Sequence, residues 1–298
     1  MERIASLDYD YECQPKQTVS ICNLCGSQEF EALTKRDRYG YSVTAVVCKK
    51  CGLVFLDPKM TADAYSYFYS DVYRPLVSAY HGRNINARTI QDEQRQYAAE
   101  RVDVLAPFLE NKHFTTLLDI GGSTGVVAHV LTRHFGLVGT VLDPAPLEIE
   151  EAKQFGLETV SGLVEQYKAG GRRFDTVVMC QTVDHLLNIA SSLRAIRALI
   201  NPEGVFYVDI VDFQAVIRKN LSVEKAVKID HPYYLTQSTM KAYLDIFGFS
   251  IAQTHHAVDQ LHIGYVCRPT ETNATLIPSI KIVNQFLEEV RTVRDTSH

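Results

Sequence analysis

The feature that most constrains the fold of this chain is an apolar run that ends in an acid and a glycine-rich turn. Residues 117–125 read Leu-Leu-Asp-Ile-Gly-Gly-Ser-Thr-Gly, and a helix-like pattern begins at Val126. A second apolar run ends in another acid, Asp143, which lies 22 residues after Gly121. Glycines let the backbone bend sharply here and approach a ligand without a Cβ in the way. This order predicts the first strand, helix and second strand of a parallel α/β sheet.

The alternation of strands and helices continues to about residue 268. We predict strands at residues 115–120, 137–142, 157–160, 174–180 and 205–211, with a closing hairpin at 249–254 and 262–267. Helices are predicted at residues 126–135, 146–155, 189–200 and 236–247. Strands that alternate with helices require right-handed crossovers. The predicted fold class is therefore α/β, with a doubly wound, mostly parallel, seven-stranded Rossmann-like sheet and a small N-terminal module.

Charge and hydropathy argue against two classes of function. The net charge is −5, so the chain lacks the basic excess of a nucleic-acid-binding protein. No run of 18 apolar residues occurs, so we expect no membrane span. The first eight residues lack the apolar core of a signal peptide, and we expect a cytoplasmic protein. Nothing in the sequence indicates its oligomeric state.

The acids around the glycine turn indicate which ligand it holds. An NAD site would show G-x-G-x-x-G, with a pyrophosphate at the helix N-terminus. Asp119 would repel a pyrophosphate but suits an ammonium group, and Asp143 can accept hydrogen bonds from ribose hydroxyls. An ammonium and a ribose without a phosphate describe S-adenosylmethionine. A helix N-cap is the alternative role for Asp143, because Pro144 follows it.

Four of the seven cysteines form two Cys-x-x-Cys-Gly pairs, which are Cys22 with Cys25 and Cys48 with Cys51. Each pair can present two thiolates to one tetrahedral ion, and the glycine after it permits the tight turn. Without export signals the pairs indicate a metal rather than disulfides. We predict a structural zinc site, because four protein ligands leave no open position.

Over residues 114–268 the chain resembles the class I S-adenosylmethionine-dependent methyltransferases. The resemblance implies that the glycine loop wraps the methionine part of the cofactor and that Asp143 holds the ribose. Ser123 stands where the family pattern D-x-G-x-G-x-G has its middle glycine. The implied cofactor-binding residues of the loop and the second strand are Asp119, Gly121, Ser123, Gly125 and Asp143. The resemblance also implies that Gly162 and Leu163 lie beside the adenine, and that Cys180 and Gln181 lie beside the methionine moiety.

A four-cysteine module ahead of such a domain is similar to sugar methyltransferases of surface-polysaccharide pathways. The matching segments are residues 51–58, 68–74 and 183–187. The resemblance implies a sugar acceptor, either a nucleotide-sugar or a glycan end. We expect O-methylation, because the chain ends before the extra C-terminal domain of the C-methylating relatives. The alternatives are C-methylation, a small-metabolite O-methyltransferase, a non-catalytic zinc-ribbon binding protein and an NAD-dependent sugar enzyme.

Candidate catalytic residues follow the fourth strand, where a base would face the methyl group. His185 can act as a base near neutrality, and Asp184 could orient it. The C-methyltransferases that the chain resembles have an acid–histidine pair at this place, but they have a tyrosine where this chain has Thr182. Helix capping or packing is the alternative role for His185. Two candidate substrate contacts, Tyr73 and Arg74, belong to a tyrosine-rich segment that also contains Tyr65, Tyr67, Tyr69 and Tyr80. The other two candidates are His231 and Tyr234, which follow the fifth strand.

These observations divide the chain into four parts. We predict a zinc-binding module at residues 1–57, a helical bridging segment at 58–110, the cofactor-binding domain at 111–270, and a helical tail at 271–298.

Overall fold

The computed structural model describes residues 2–110, 112–272 and 277–295. Its strands are β1 (Lys16–Gln17), β2 (Phe30–Arg36), β3 (Ser42–Cys48), β4 (Val54–Leu56), β5 (Lys59–Met60), β6 (Thr116–Ile120), β7 (Val138–Asp143), β8 (Glu158–Ser161), β9 (Phe174–Met179), β10 (Ile200–Val211), β11 (Tyr233–Tyr234), β12 (Phe249–His256) and β13 (His262–Pro269). Its α-helices are α1 (Glu2–Ala5), α2 (Ala62–Tyr67), α3 (Tyr73–His81), α4 (Ala87–Leu109), α5 (Val126–Phe135), α6 (Pro146–Lys153), α7 (Ile189–Leu199), α8 (Phe213–Asn220), α9 (Gln237–Ile246) and α10 (Ile280–Asp295).

A seven-stranded sheet forms the centre of the molecule, in the order β12-β13-β10-β9-β6-β7-β8. The strands from β10 to β8 are parallel, and β13 runs antiparallel to both β10 and β12. The predicted fold class and closing hairpin are confirmed. β10 begins earlier than predicted, because residues 201–204 form an irregularity within the strand rather than a turn before it.

Helices cover both faces of this sheet, which explains the nearly continuous apolar sequence of β9. Its residues Phe174 and Val177 are fully buried. α7 begins at the N-cap Asn188, whose side chain accepts a hydrogen bond from the Ser191 amide. The helix then buries Leu193 and Ile196 on one face, as a helical apolar period requires.

The cysteine-bearing region forms a second, four-stranded sheet in the order β11-β4-β3-β2. Its fourth strand comes from much later in the chain, since Tyr233 of β11 pairs with Phe55 of β4. Phe55 and Cys48 also share one apolar core with Val208 of the central sheet. The N-terminal region is therefore packed into the larger domain rather than tethered to it.

Helices fill most of the segment between the two sheets. A π-helical turn, Phe68–Val72, joins α2 to α3, and Asn86 caps α4. α10 packs back onto the N-terminal region, where the Val283 side chain lies against Gly52. Among the described residues, no helix is long and apolar enough to cross a membrane.

Candidate functional site

The glycine loop after β6 is a tight cradle in which added side chains would clash. A Cβ on Gly121 would lie 2.4 Å from the Thr182 side chain, and one on Gly122 would lie 2.6 Å from an Asp119 carboxylate oxygen. Gly125 has a φ of +78°, which favours glycine. Ser123 adopts a φ of 49°, so the residue that departs from the glycine pattern keeps a left-handed backbone. The loop retains its shape despite that departure.

Asp119 lies buried beneath this loop, and none of the residues described in the structure forms an ion pair with it. Its side chain is 1% exposed. Within the described part of the chain, no side chain donates a hydrogen bond to either carboxylate oxygen. Burial, and then the charge of Asp143, raise the pKa of Asp119 to about 7. A cationic ligand group would supply the missing charge, which fits the ammonium of S-adenosylmethionine.

Asp143 ends β7 beside the loop, as the sequence predicts. Its two oxygens accept hydrogen bonds from the Ser123 amide at 2.9 Å and the Ala145 amide at 2.8 Å. Burial raises its pKa. Each oxygen keeps a further lone pair for a ribose hydroxyl. The N-cap of α6 is Ala145, so the Asp143 side chain shapes the turn before that helix rather than occupying the cap position.

The other predicted cofactor residues lie at the same edge of the sheet. Gly162 follows β8, and its amide donates to the Asp143 carbonyl oxygen at 3.1 Å. Leu163 comes next and is half-buried. Cys180 and Gln181 follow β9, which pairs with β6. The structure thus brings the nine predicted residues to the ends of four neighbouring strands.

Gln181 is held by a buried network that the sequence analysis missed. Its φ is 50°, and its amide donates to Asp209 Oδ1 at 2.6 Å. The other Asp209 oxygen accepts from Arg101 at 3.2 Å and from the hydroxyl of Tyr97. Burial raises the pKa of Asp209 to about 7. The sequence does contain a signal for this network, because Arg101 has the helical spacing of Ala98 and Leu105, which form the buried face of α4, and a buried arginine needs a partner.

Asp184, predicted from the sequence to orient His185 or raise its basicity, makes its closest contact with another histidine. Asp184 contacts His231 instead, with 2.7 Å between Asp184 Oδ2 and His231 Nδ1. His185 Nε2 is 4.0 Å from the nearer Asp184 oxygen. The 3₁₀ turn Val183–His185 directs the two side chains apart, and β11 brings His231 to the acid.

His185 is instead oriented by Tyr69, from the π-helical turn. The Tyr69 hydroxyl is 2.5 Å from His185 Nδ1 and donates to the Asp230 carbonyl oxygen at 2.6 Å. A hydroxyl has one proton to donate, so His185 must donate from Nδ1. Nε2 then carries the lone pair. Burial, and then the electrostatic influence of His231, lower the pKa of His185 to about 4, so the ring is neutral at neutral pH.

Charged groups surround His231 on both nitrogens. The Lys228 ammonium donates to His231 Nε2 at 2.8 Å, and an Asp230 oxygen lies 3.3 Å from the same nitrogen. Although burial opposes it, His231 and His185 hold the pKa of Asp184 well below its usual range. Asp184, His185 and His231 place ligand atoms within 4.8 Å of one another, the arrangement of a three-ligand metal site. Lys228 beside His231 makes that use electrostatically unfavourable.

The remaining predicted substrate contacts are largely occupied by protein groups. Arg74 forms an ion pair with Glu148 on α6, and the Ser123 hydroxyl donates to the same carboxylate at 3.1 Å. Tyr73 packs on the Tyr69 ring, with centroids 5.4 Å apart. The Tyr234 hydroxyl donates to the Lys228 carbonyl oxygen at 2.5 Å. Tyr234 and His231 line a cavity of about 320 Å³ that also reaches Asp184.

The four predicted metal ligands meet in one cluster. Their sulfur atoms all lie within 4.8 Å of one another, with 3.6 Å between Cys22 and Cys51 and 3.5 Å between Cys25 and Cys48. Zinc–sulfur bonds of about 2.3 Å in a tetrahedron imply sulfur separations of about 3.8 Å. The glycines after the two pairs have φ values of 71° and 77°, as the tight turns require. The donor set therefore fits a structural zinc ion.

Comparison with known proteins identifies the domain. The profile of a methyltransferase domain family matches residues 90–254, more than half of the chain. The chain belongs to this methyltransferase family. A ubiquinone biosynthesis O-methyltransferase of a Methylobacterium species is 36% identical over 103 residues, which are 33% of this chain and 41% of that relative. One from Methylocella silvestris is 31% identical over 99 residues, 30% of this chain and 38% of that relative.

The chain thus aligns with about two fifths of the length of these curated relatives. Among solved structures, a magnesium protoporphyrin IX methyltransferase from Synechocystis PCC 6803 with bound SAH gives a TM-score of 0.53. It is 15% identical and covers 70% of this chain and 99% of its own. At that identity the likeness shows the fold alone. The methyltransferase fold places its cofactor at the strand ends, where the glycine loop, Asp119 and Asp143 lie.

Proposed function

We propose that this methyltransferase uses S-adenosylmethionine to methylate a hydroxyl oxygen of a sugar. The observation that carries the proposal is the Tyr69–His185 hydrogen bond at the end of β9, which leaves an unprotonated ring nitrogen beside the cofactor strands. Methylating a hydroxyl requires a group that accepts its proton. His185 is neutral at neutral pH and is oriented for that purpose.

The cofactor supplies an electrophilic methyl group on a sulfonium. The chain must hold the cofactor in place and keep nucleophiles other than the acceptor away from that methyl group. We assign Asp119 to the charge of the ammonium, Asp143 to the ribose, and Gly162 and Leu163 to the edge of the adenine. Gly121, Ser123 and Gly125 form the loop around the methionine part. Cys180 and Gln181 complete that side, with Gln181 fixed by Asp209.

His185 suits the role of base better than His231 does. The His185 side chain is 25% exposed, and no residue that the structure describes hydrogen-bonds to its Nε2, which leaves this nitrogen available to an acceptor hydroxyl. His231 is 7% exposed and both of its nitrogens are engaged. As Nε2 takes the proton, the ring becomes cationic. Asp184 stays ionised 4.0 Å away and stabilises that charge, which makes Asp184 a positioning and electrostatic residue.

Two observations bear on the acceptor. The cysteine module and the segments around it resemble sugar methyltransferases, and the cavity beside Asp184 and His231 is lined by charged and tyrosine side chains. An aromatic hydroxyl is the second candidate acceptor, because the relatives are named as ubiquinone biosynthesis O-methyltransferases. We further propose a structural zinc ion on Cys22, Cys25, Cys48 and Cys51, and a cytoplasmic location that keeps these thiols reduced.

The test combines an acceptor screen with one substitution. The purified chain is incubated with S-adenosylmethionine and panels of nucleotide-sugars, free sugars and phenolic acids, and demethylated cofactor is measured. Carbon chemical shifts of the product then distinguish an O-methyl from a C-methyl group. His185→Gln should lower kcat by about 10²–10⁴-fold without changing cofactor affinity, as loss of a general base does. His256→Gln is the matched control, since His256 is exposed on β12. Near-normal turnover of His185→Gln would refute the role of the base.

A further inference from the structure

The cavity beside Asp184 and His231 carries more positive than negative side chains. Its lining includes Arg38, Lys219 and Lys228, whereas Asp184 is the single carboxylate among its described lining residues. The chain as a whole has a net charge of −5, so this positive excess is local. A concave site lined by one sign of charge concentrates its field on ligands of the opposite sign.

Two of these cations lack the carboxylate partner that usually neutralises such a group. Lys219 is exposed at the end of α8 and forms no ion pair with any residue that the structure describes. Arg38 lies between β2 and β3, and its guanidinium donates to the Lys225 carbonyl oxygen at 3.0 and 3.2 Å. These bonds hold the guanidinium in place without neutralising its charge.

The third cation, Lys228, lines the cavity and contacts His231 of the acid–histidine cluster, which consists of Asp184, His185 and His231. The Lys228 ammonium lies 2.8 Å from His231 Nε2 and 3.9 Å from an Asp230 oxygen. Aromatic side chains also line the cavity, and the rings of two of them, Phe213 and Tyr234, lie 4.9 Å apart. A ligand with a polar, anionic end and a ring would match both parts of this cavity.

We propose that the cavity binds a phosphate or diphosphate ester, with Lys219 and Arg38 contacting phosphate oxygens and Lys228 contacting the ester nearer the ring. Cations from separate elements suit an anion with several charged oxygens better than a single carboxylate. The inference rests on the proposed function in one respect, which is that the bound ester is the methyl acceptor. Arg74, a substrate contact predicted from the sequence, is not available for this anion because it is paired with Glu148.

The experiment measures binding by the full chain and needs no turnover. Inorganic pyrophosphate and a nucleoside diphosphate are titrated calorimetrically at low salt into the wild type and three variants. Lys219→Gln should weaken both about fivefold, and Lys219→Gln with Arg38→Gln more than about tenfold, as expected for partly exposed charge contacts. Lys241→Gln, an exposed lysine on α9 outside the cavity, should change nothing.

Circular dichroism and S-adenosylmethionine affinity establish that each variant is folded. Added salt should weaken the pyrophosphate affinity of the wild type. Absence of pyrophosphate and nucleoside diphosphate binding, or equal binding by the double variant, would overturn the proposal. Binding of benzoate in place of pyrophosphate would also overturn it, in favour of a carboxylate acceptor. Because cofactor affinity is measured separately, failure here is distinguishable from failure of the methyltransferase function.

Discussion

Replacing Tyr69 with phenylalanine tests whether one hydroxyl sets the protonation state of His185. The hydroxyl makes two hydrogen bonds, with His185 Nδ1 at 2.5 Å and with the Asp230 carbonyl oxygen at 2.6 Å. The phenylalanine ring keeps the packing on Phe68 and Tyr73, whose centroids lie 5.5 and 5.4 Å away. The substitution therefore removes polar contacts and leaves the apolar ones.

Two hydrogen bonds at about 0.5–1.5 kcal/mol each give a loss of about 1–3 kcal/mol in unfolding free energy. With an unfolding entropy of about 2.1 cal/mol/K per residue, the melting temperature should fall by about 2–5 °C. Without Tyr69, the tautomer with its proton on Nε2 can point that proton at Asp184. If it becomes favoured by about 1.4 kcal/mol, only about a tenth of the molecules retain a basic Nε2, and kcat falls about tenfold.

Nitrogen chemical shifts of the histidine rings report the tautomer directly and need no acceptor. At pH 7 the wild type should show a protonated Nδ1 and a bare Nε2 for His185, and Tyr69→Phe should shift the proton towards Nε2. Tyr65→Phe is the matched control, because that buried hydroxyl donates to the Ile229 carbonyl oxygen at 3.3 Å and, among the described residues, hydrogen-bonds to no histidine. An unchanged His185 tautomer in Tyr69→Phe would refute the reasoning, whatever its effect on stability.

Four further outcomes are expected. Cofactor affinity should rise with pH up to about 7, because the raised pKa of Asp119 leaves its carboxyl protonated below that pH, and cofactor binding there should release the proton. Calorimetry in two buffers of different ionisation enthalpy measures this release, and Asp119→Asn should abolish the pH dependence. Gly122→Ala should abolish cofactor binding, since its Cβ would lie 2.6 Å from Asp119, whereas Gly136→Ala, with open space around it, should not. Asp209→Asn should raise KM for the cofactor through Gln181. Cys51→Ser should lower both bound zinc, measured by atomic absorption, and the melting temperature.

The sheet was predictable because its signals are local in sequence. Alternating apolar strands and helices fix a parallel sheet, and the glycine turn marks its ligand edge. α5 begins and ends where its pattern predicts, at Val126 and Phe135. The four cysteines were equally local, since each pair with its glycine forms a complete turn. Such features need no knowledge of the rest of the chain.

The acid–histidine cluster was not predictable to the same depth because its partners come from distant segments. Asp184 and His185 were recognised by their place after β9, but their partners are His231 and Tyr69. Tyr69 was one of several tyrosines with no local feature to separate it. A π-helical turn shifts the side-chain register by a fraction of a turn, and no sequence period announces it.

A single strand pairing connects the cysteine module to the chemistry proposed at His185. β3 ends at the cluster residue Cys48, and Phe55 of β4 pairs on one side with Val46 and on the other with Tyr233. His231 precedes that short strand by two residues, so its distance to Asp184 depends on β11 staying paired. A strand of two residues has little stability of its own. In the proposed function, the cysteine module therefore supports the acceptor side of the site through β11, whereas the glycine loop and the acids of β6 and β7, which we assign to the cofactor, do not depend on that strand pairing.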